Sequence, residues 1–236
     1  MKAKNRIWVY PSRTIGIFIM FLSISFKSIA QESNKSVKDI DGNVYRTVRI
    51  GTQIWMRDNL KTTKYNDGTE IPNVRVDSMW SSLISGAYCN YNNTEDNARI
   101  YGRLYNWYVG AFTNPKNVCP EGWHVPTHEE WITLTFYLGD GHRAGGKMKE
   151  KGTIHWNRPN TGATDKSGFS ALPSGCRYYY GTFEELGEQG LWWSSSEFNL
   201  KLALFEGLSA ADSSITDNSG FKSNGFSIRC IKSQNQ

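Results

Sequence analysis

Apolar and polar residues alternate through Val44-Tyr-Arg-Thr-Val-Arg-Ile50, the two-residue period of a half-buried strand. Asp41-Gly42-Asn43 turns the chain before it, and Gly51-Thr52 turns it again into a return strand, Gln53–Met56. Asp39, Asp41 and Asn43 have the spacing that opens a calcium loop. The Gly and Glu such a loop needs further on are replaced by Val44 and Ile50, so a plain turn is expected. Residues 61 to 98 are rich in loop signals. Leu104, Trp107, Tyr108 and Ala111 then recur at helical spacing and predict a short helix over 101–112.

The clearest local pattern is Cys119-Pro-Glu-Gly-Trp-His-Val-Pro-Thr-His-Glu-Glu-Trp131. Trp123–Val125 reads as a short strand stopped by Pro126. Thr127 with Glu130 three residues later forms a capping box, and Trp131, Leu134 and Leu138 form the buried stripe of the helix it starts. Gly139-Asp140-Gly141 ends that helix. A Gly- and Asn-rich excursion occupies 139–168. Short strands are expected at Phe169–Leu172, Cys176–Tyr180, Leu191–Ser194, Leu202–Phe205 and Gly225–Ile231.

The first thirty residues follow a different rule. Lys2, Lys4, Arg6 and Arg13 precede an apolar run, Ile15–Ile24, and Ser28-Ile-Ala30 offers small residues for a signal peptidase. A secretory signal cut after Ala30 is expected, followed by a polar leader over 31–37, a domain over 38–232 and a tail over 233–236. The apolar run is too short for a spanning helix, which needs about 20 residues. No Cys follows it to carry a lipid, and no membrane span is expected after cleavage. Removing the basic residues of the signal, Lys27 included, leaves twenty-two Lys and Arg against twenty-two Asp and Glu. The apparent net charge of +5 belongs to the signal, and a neutral mature chain lacks the electrostatic footprint of nucleic-acid binding.

Cys89, Cys119, Cys176 and Cys230 make an even count, which suits disulfides in an exported chain; four cysteines allow three pairings. Their spacing matches no metal knuckle. His124 and His128 are four apart, but Pro126 interrupts any shared helical face, so no metal site is expected. Ser194, Ser195 and Ser196 lack a nucleophile elbow and a placed His. No catalytic residue and no cofactor is expected.

Twelve motifs occur in order, among them Gly51-Thr-Gln-Ile-Trp-Met, Asn59-Leu, Tyr101-Gly-Arg-Leu-Tyr-Asn-Trp, Cys119-Pro-Glu-Gly-Trp-His-Val-Pro-Thr, Trp192-Trp-Ser-Ser-Ser and Gly225-Phe-Ser-Ile-Arg-Cys. Together they resemble the Fibrobacter succinogenes major paralogous domain over about 38–232. Cys176 departs from the aromatic residue more usual there. The resemblance implies export from Bacteroidetes-like or Fibrobacter-like bacteria to the periplasm, cell surface or medium, and no established activity. It implies an α+β, C-type lectin-like fold of short twisted antiparallel strands with two helices and long irregular loops, distantly similar to the formylglycine-generating sulfatase-modifying proteins. In that fold the strand at 122–125 lies beside the final strand, which implies a Cys119–Cys230 disulfide. The paired C-terminal cysteines of the sulfatase-modifying enzymes are absent, since Cys230 stands alone. Arg158-Pro159-Asn160 puts a cation where calcium-binding lectins place a ligand. The resemblance implies that the long loop and the strands after it carry the contact surface, with Trp156, Asn157, Tyr178, Tyr179, Tyr180, Asn199 and Lys222 as candidates. At least one of the three consecutive tyrosines is expected to be buried, because strand neighbours face opposite ways. The resulting expectation is a non-catalytic binding or adhesion module for a surface glycan or protein. The alternatives are an enzyme on the sulfatase-modifying scaffold and a structural envelope component.

Overall fold

A computed structural model describes residues 36–234, which lie within a compact unit, Asn34–Gln236. The expected signal, 1–30, is outside the described residues. Among those residues no helix is long and apolar enough to cross a membrane.

Strands β1 (Ser36–Lys38), β2 (Val44–Ile50) and β3 (Gln53–Met56) form an antiparallel meander. The boundaries of β2 and β3 are those the alternation predicts. Ser36 and Val37, expected in the leader, instead pair with Arg46 and Tyr45. The Asp39–Asn43 segment is a turn tied by Asp39, whose side chain accepts from the Asn43 N–H at 2.9 Å and from the Tyr45 hydroxyl at 2.5 Å. The final strand, β12 (Ile231–Lys232), inserts between β3 and β6 (Trp123–His124), with Ile231 opposite His124 and Trp55. Cys119 and Cys230 meet there as a disulfide with Cα atoms 6.0 Å apart.

Helix α4 (His128–Tyr137) begins at Thr127, and both arms of the capping box are formed. Its apolar stripe packs Trp131 against Trp55, with ring centroids 4.7 Å apart. Phe169 and Trp192 extend the aromatic core at 5.8 and 6.1 Å. The other helices are short: α1 (Asp77–Ser81), α2 (Glu95–Tyr101), α3 (Trp107–Gly110) and α5 (Ala144–Met148). The architecture is mixed α+β and mostly sheet. Among the described residues five α-helices replace the two expected, and the helix expected over 101–112 is divided. Leu104–Tyr105 forms β5, paired with β4 (Tyr88–Cys89), and only Trp107–Gly110 is helical.

The second sheet has the order β11-β10-β9-β7-β8, with β7 (Ser174–Arg177), β8 (Phe183–Leu186), β9 (Gln189–Glu197), β10 (Leu202–Ser209) and β11 (Ile215–Phe221). Phe169–Leu172 is not a strand; it contributes one bridge, Ala171 to Lys149. The segment 225–231 is extended but changes partners along its length. Gly225 bridges Arg177, Phe226 bridges Tyr105, Ser227 bridges Trp192, and the Cys230 carbonyl accepts from Met56 N–H. This one segment stitches the two sheets together.

Candidate functional site

The two faces of β10 and β11 serve different ends. Alternate residues of a strand point to opposite sides. Phe205, Thr216, Asn218 and Gly220 line a cleft, while Glu206, Ile215 and Asp217 border a smaller pocket beside α4. The cleft, about 560 Å³, is closed on its far side by Tyr178, Tyr179 and Tyr180.

Those tyrosines follow β7 and sit on a tight turn, with Gly181 N–H donating to the Tyr178 carbonyl at 2.8 Å. Arg177 anchors it from below. Fully buried, it donates to the carbonyls of Gly181, Val74 and Arg75 at 2.9, 2.6 and 2.9 Å and pairs with Asp77 at 2.6 Å. Its guanidinium lies over Trp80 and Phe183, 4.6 and 4.8 Å from the ring centroids. Gly181 has φ +107°, and a Cβ there would fall 2.5 Å from the Asp77 side chain, so only Gly fits the turn. Asn224 Oδ1 accepts from Tyr179 N–H at 2.8 Å and fixes the other side.

The turn leaves none of the three rings buried. Tyr178 is half-buried, and Tyr179 and Tyr180 are 41% and 47% exposed. The burial expected of at least one does not occur because β7 ends at Arg177, so strand alternation stops before Tyr178. Tyr178 and Tyr180 stack at 5.4 Å and 11°, Tyr180 meets Tyr179 edge-on at 4.9 Å, and Tyr179 leans on Phe221 at 4.4 Å. The aromatic wall is therefore preorganised.

Among the described residues, Glu185 is the only charged one lining the cleft. Its φ of +68° is left-handed, unusual for a non-glycine residue, and its carboxylate accepts from the Tyr178 hydroxyl at 3.3 Å. Burial pushes the Glu185 carboxyl upward. Burial, with Cys176 and Glu185 nearby, also raises the Tyr178 phenol well above its usual value. Among the described residues no Lys, Arg or His lines this cleft, which presents rings, amides and hydroxyls.

The other expected contact residues lie elsewhere. Trp156 is 1% exposed, and its indole N–H donates to the Ala171 carbonyl at 2.8 Å, so it is core. Lys222 is 6% exposed, paired with Glu197 at 2.5 Å and placed 4.6 Å from the Trp107 ring centroid; burial and pairing withdraw it from the surface. Asn199 is exposed but accepts from the N–H groups of Lys201 and Leu202 at 2.9 Å, holding the β9–β10 turn. Asn157 is exposed and bonds Glu188 at 2.6 Å. Neither lines the cleft. The long loop is pinned rather than free: Lys149 donates to the carbonyls of Thr161, Ser209 and Asp212, and Asn160 to those of Glu150 and Gly152. Sequence reasoning missed Glu185, Gln189, Phe205, Asn218, Phe221 and Asn224. Those on β11 carried little local signal, since Ile215–Phe221 is mostly polar and exposed and Asn218-Ser219-Gly220 reads as a turn.

A second cavity, about 700 Å³, borders the Cys119–Trp131 motif. Its principal polar groups satisfy one another: His124 Nε2 lies 2.9 Å from Glu130 and Nδ1 lies 2.9 Å from Ser233 Oγ. His124 is part of the strand-to-helix junction, as expected from the motif. The two free thiols are also withdrawn from chemistry, since burial pushes both Cys89 and Cys176 up to about 12.

These features define an aromatic-cored α+β domain, closed by a disulfide where β6 meets the last strand, β12. The chain belongs to the Fibrobacter succinogenes major domain family, whose model matches residues 48–232. No curated protein and no solved structure matches it.

Proposed function

We propose that the mature chain is an exported, non-catalytic module that binds a neutral glycan in the tyrosine cleft. The observation that carries this reading is the lining itself: three ordered tyrosines and Phe221 facing Gln189, Asn218 and Asn224, with no cation. Aromatic faces stack on the apolar faces of sugar rings, and amides and hydroxyls exchange hydrogen bonds with their hydroxyl groups. An anionic ligand would meet Glu185 and no counter-charge. The lectin-like arrangement is part of the same proposal and is supported by β12 lying between β3 and β6. Export is supported by the signal-like first thirty residues and the Cys119–Cys230 disulfide.

Immobilised neutral and acidic glycans incubated with the mature protein test the reading. Retention on a subset of the neutral glycans, lost in Tyr179→Ala, is expected. Retention on none, or retention unchanged by the substitution, refutes it.

A further inference from the structure

The opposite face of the same sheet holds a second arrangement, independent of the cleft. Glu206 on β10 and Asp217 on β11 are direct cross-strand partners. Like charges placed so are destabilising unless something lies between them. His128, the first residue of α4, reaches down onto the pair. Its Nδ1 is 3.6 Å from Glu206 Oε1, and its Nε2 is 3.4 Å from Asp217 Oδ2. One ligand atom from each of the three residues can be chosen so that all lie within 4.8 Å of one another.

Two further observations set this group apart from an ordinary surface cluster. Glu206 is 3% exposed, and His128 Nδ1, 3.6 Å from its Oε1, lies beyond hydrogen-bond reach. His128 Nδ1 is likewise buried without a hydrogen-bond partner. A buried carboxylate requires a partner charge or a proton. The backbone that carries the imidazole is held in place: the His128 backbone N–H donates to Ser196 Oγ at 3.1 Å, and the Thr127 capping box fixes the helix start.

We propose that His128, Glu206 and Asp217 form a binding site for a divalent transition-metal ion of the zinc type. One imidazole nitrogen with two carboxylate oxygens suits a borderline cation. Calcium takes six to eight oxygen ligands, and a histidine does not serve it. Three protein ligands leave a coordination position for water or a ligand group. The adjacent pocket, about 160 Å³ and lined by Ile132, Thr135, Phe136, Gly141 and Ile215, is where that position would open. The sequence hides this site because its ligands come from three separate elements, spaced 78 and 11 residues apart.

The test is equilibrium dialysis of tag-free mature protein against Zn²⁺, with metal measured by mass spectrometry. One zinc per chain is expected, with affinity falling at least about tenfold in Asp217→Asn and in His128→Gln. Asp217 is exposed on an edge strand, so Asp217→Asn is expected to keep the fold, checked by its circular dichroism. Cobalt(II) bound in place of zinc is expected to show a visible absorption spectrum that Glu206→Gln changes. His124→Gln and His155→Gln serve as controls and are expected to bind as the parent does. No zinc above the buffer level, equal affinity in the triad variants, or loss confined to the control variants would each overturn the proposal.

Discussion

Arg229 donates through Nε and Nη2 to a single acceptor, Asn59 Oδ1, at 3.1 and 2.7 Å, across 170 residues of sequence. Trp192 Nε1 donates to the same oxygen at 2.8 Å, and Asn59 Nδ2 returns a bond to the Tyr101 carbonyl at 2.8 Å. The guanidinium is fully buried, 4.1 Å from the Phe169 ring centroid. Four separated motif segments thus converge on one amide. Asn59→Leu would leave a buried cation and an indole N–H without their acceptor. A loss of about 3 kcal/mol in urea unfolding is expected; a loss under 1 kcal/mol would show that the hub is not a stabilising centre.

Glu130 supplies a pH test. Burial alone would raise its carboxyl, but the hydrogen bonds from His124 and from Thr127 N–H outweigh that and hold it below its usual range. A carboxyl lowered on folding contributes stability at neutral pH and loses it as pH falls through the folded value. Glu130→Gln is expected to cost about 1 kcal/mol at pH 7. The gap to the parent should close as pH drops below the ordinary carboxylate range. Thermal melts across that range measure it, and a gap constant with pH contradicts the assignment.

The disulfide and the thiols make a matched pair of expectations. The Cys119–Cys230 bond closes a span of 111 residues, for which the chain-entropy picture gives about 5 kcal/mol. The double change to Ser should lower unfolding stability by about that amount. Cys89 and Cys176 should resist alkylation in the native protein and react only after unfolding. Rapid native labelling of either would contradict their burial.

Trp156 and Tyr179 separate packing from contact. Trp156→Ala is expected to cost about 3–5 kcal/mol by opening a cavity in the core. Tyr179→Ala, on a half-exposed ring, should change stability by no more than about 1 kcal/mol. Calorimetric melting of the two variants decides it, and similar losses in both would count against the division.

Patterns with a strong local cause were legible in the sequence. The β2–β3 hairpin follows from a clean alternation between two glycine-bearing turns, and α4 from a capping box followed by Trp131 and Leu134. The disulfide came through the family resemblance, since four cysteines alone leave three pairings open. Elements made by tertiary context were not legible. The α1 N-cap is Val76, with no side-chain capping bond, so nothing local announces the helix. β11 is an edge strand, mostly exposed and polar, and Asn218-Ser219-Gly220 within it reads as a turn. The segment 225–231 alternates well, yet its partners come from five strands, β3, β5, β6, β7 and β9. For the site, Tyr178 to Tyr180 were visible as an aromatic cluster. Trp156 and Lys222 look equally available in sequence, and only packing reveals that each has buried partners.

The proposed glycan site is tested most directly by NMR titration of the isotopically labelled mature protein with a neutral oligosaccharide that it retains. Saturable shifts should centre on Tyr178, Tyr179, Tyr180, Asn218 and Phe221 and vanish in Tyr179→Ala. Shifts centred on the cavity beside His124 and Glu130, or none at saturating sugar, would contradict binding in the tyrosine cleft.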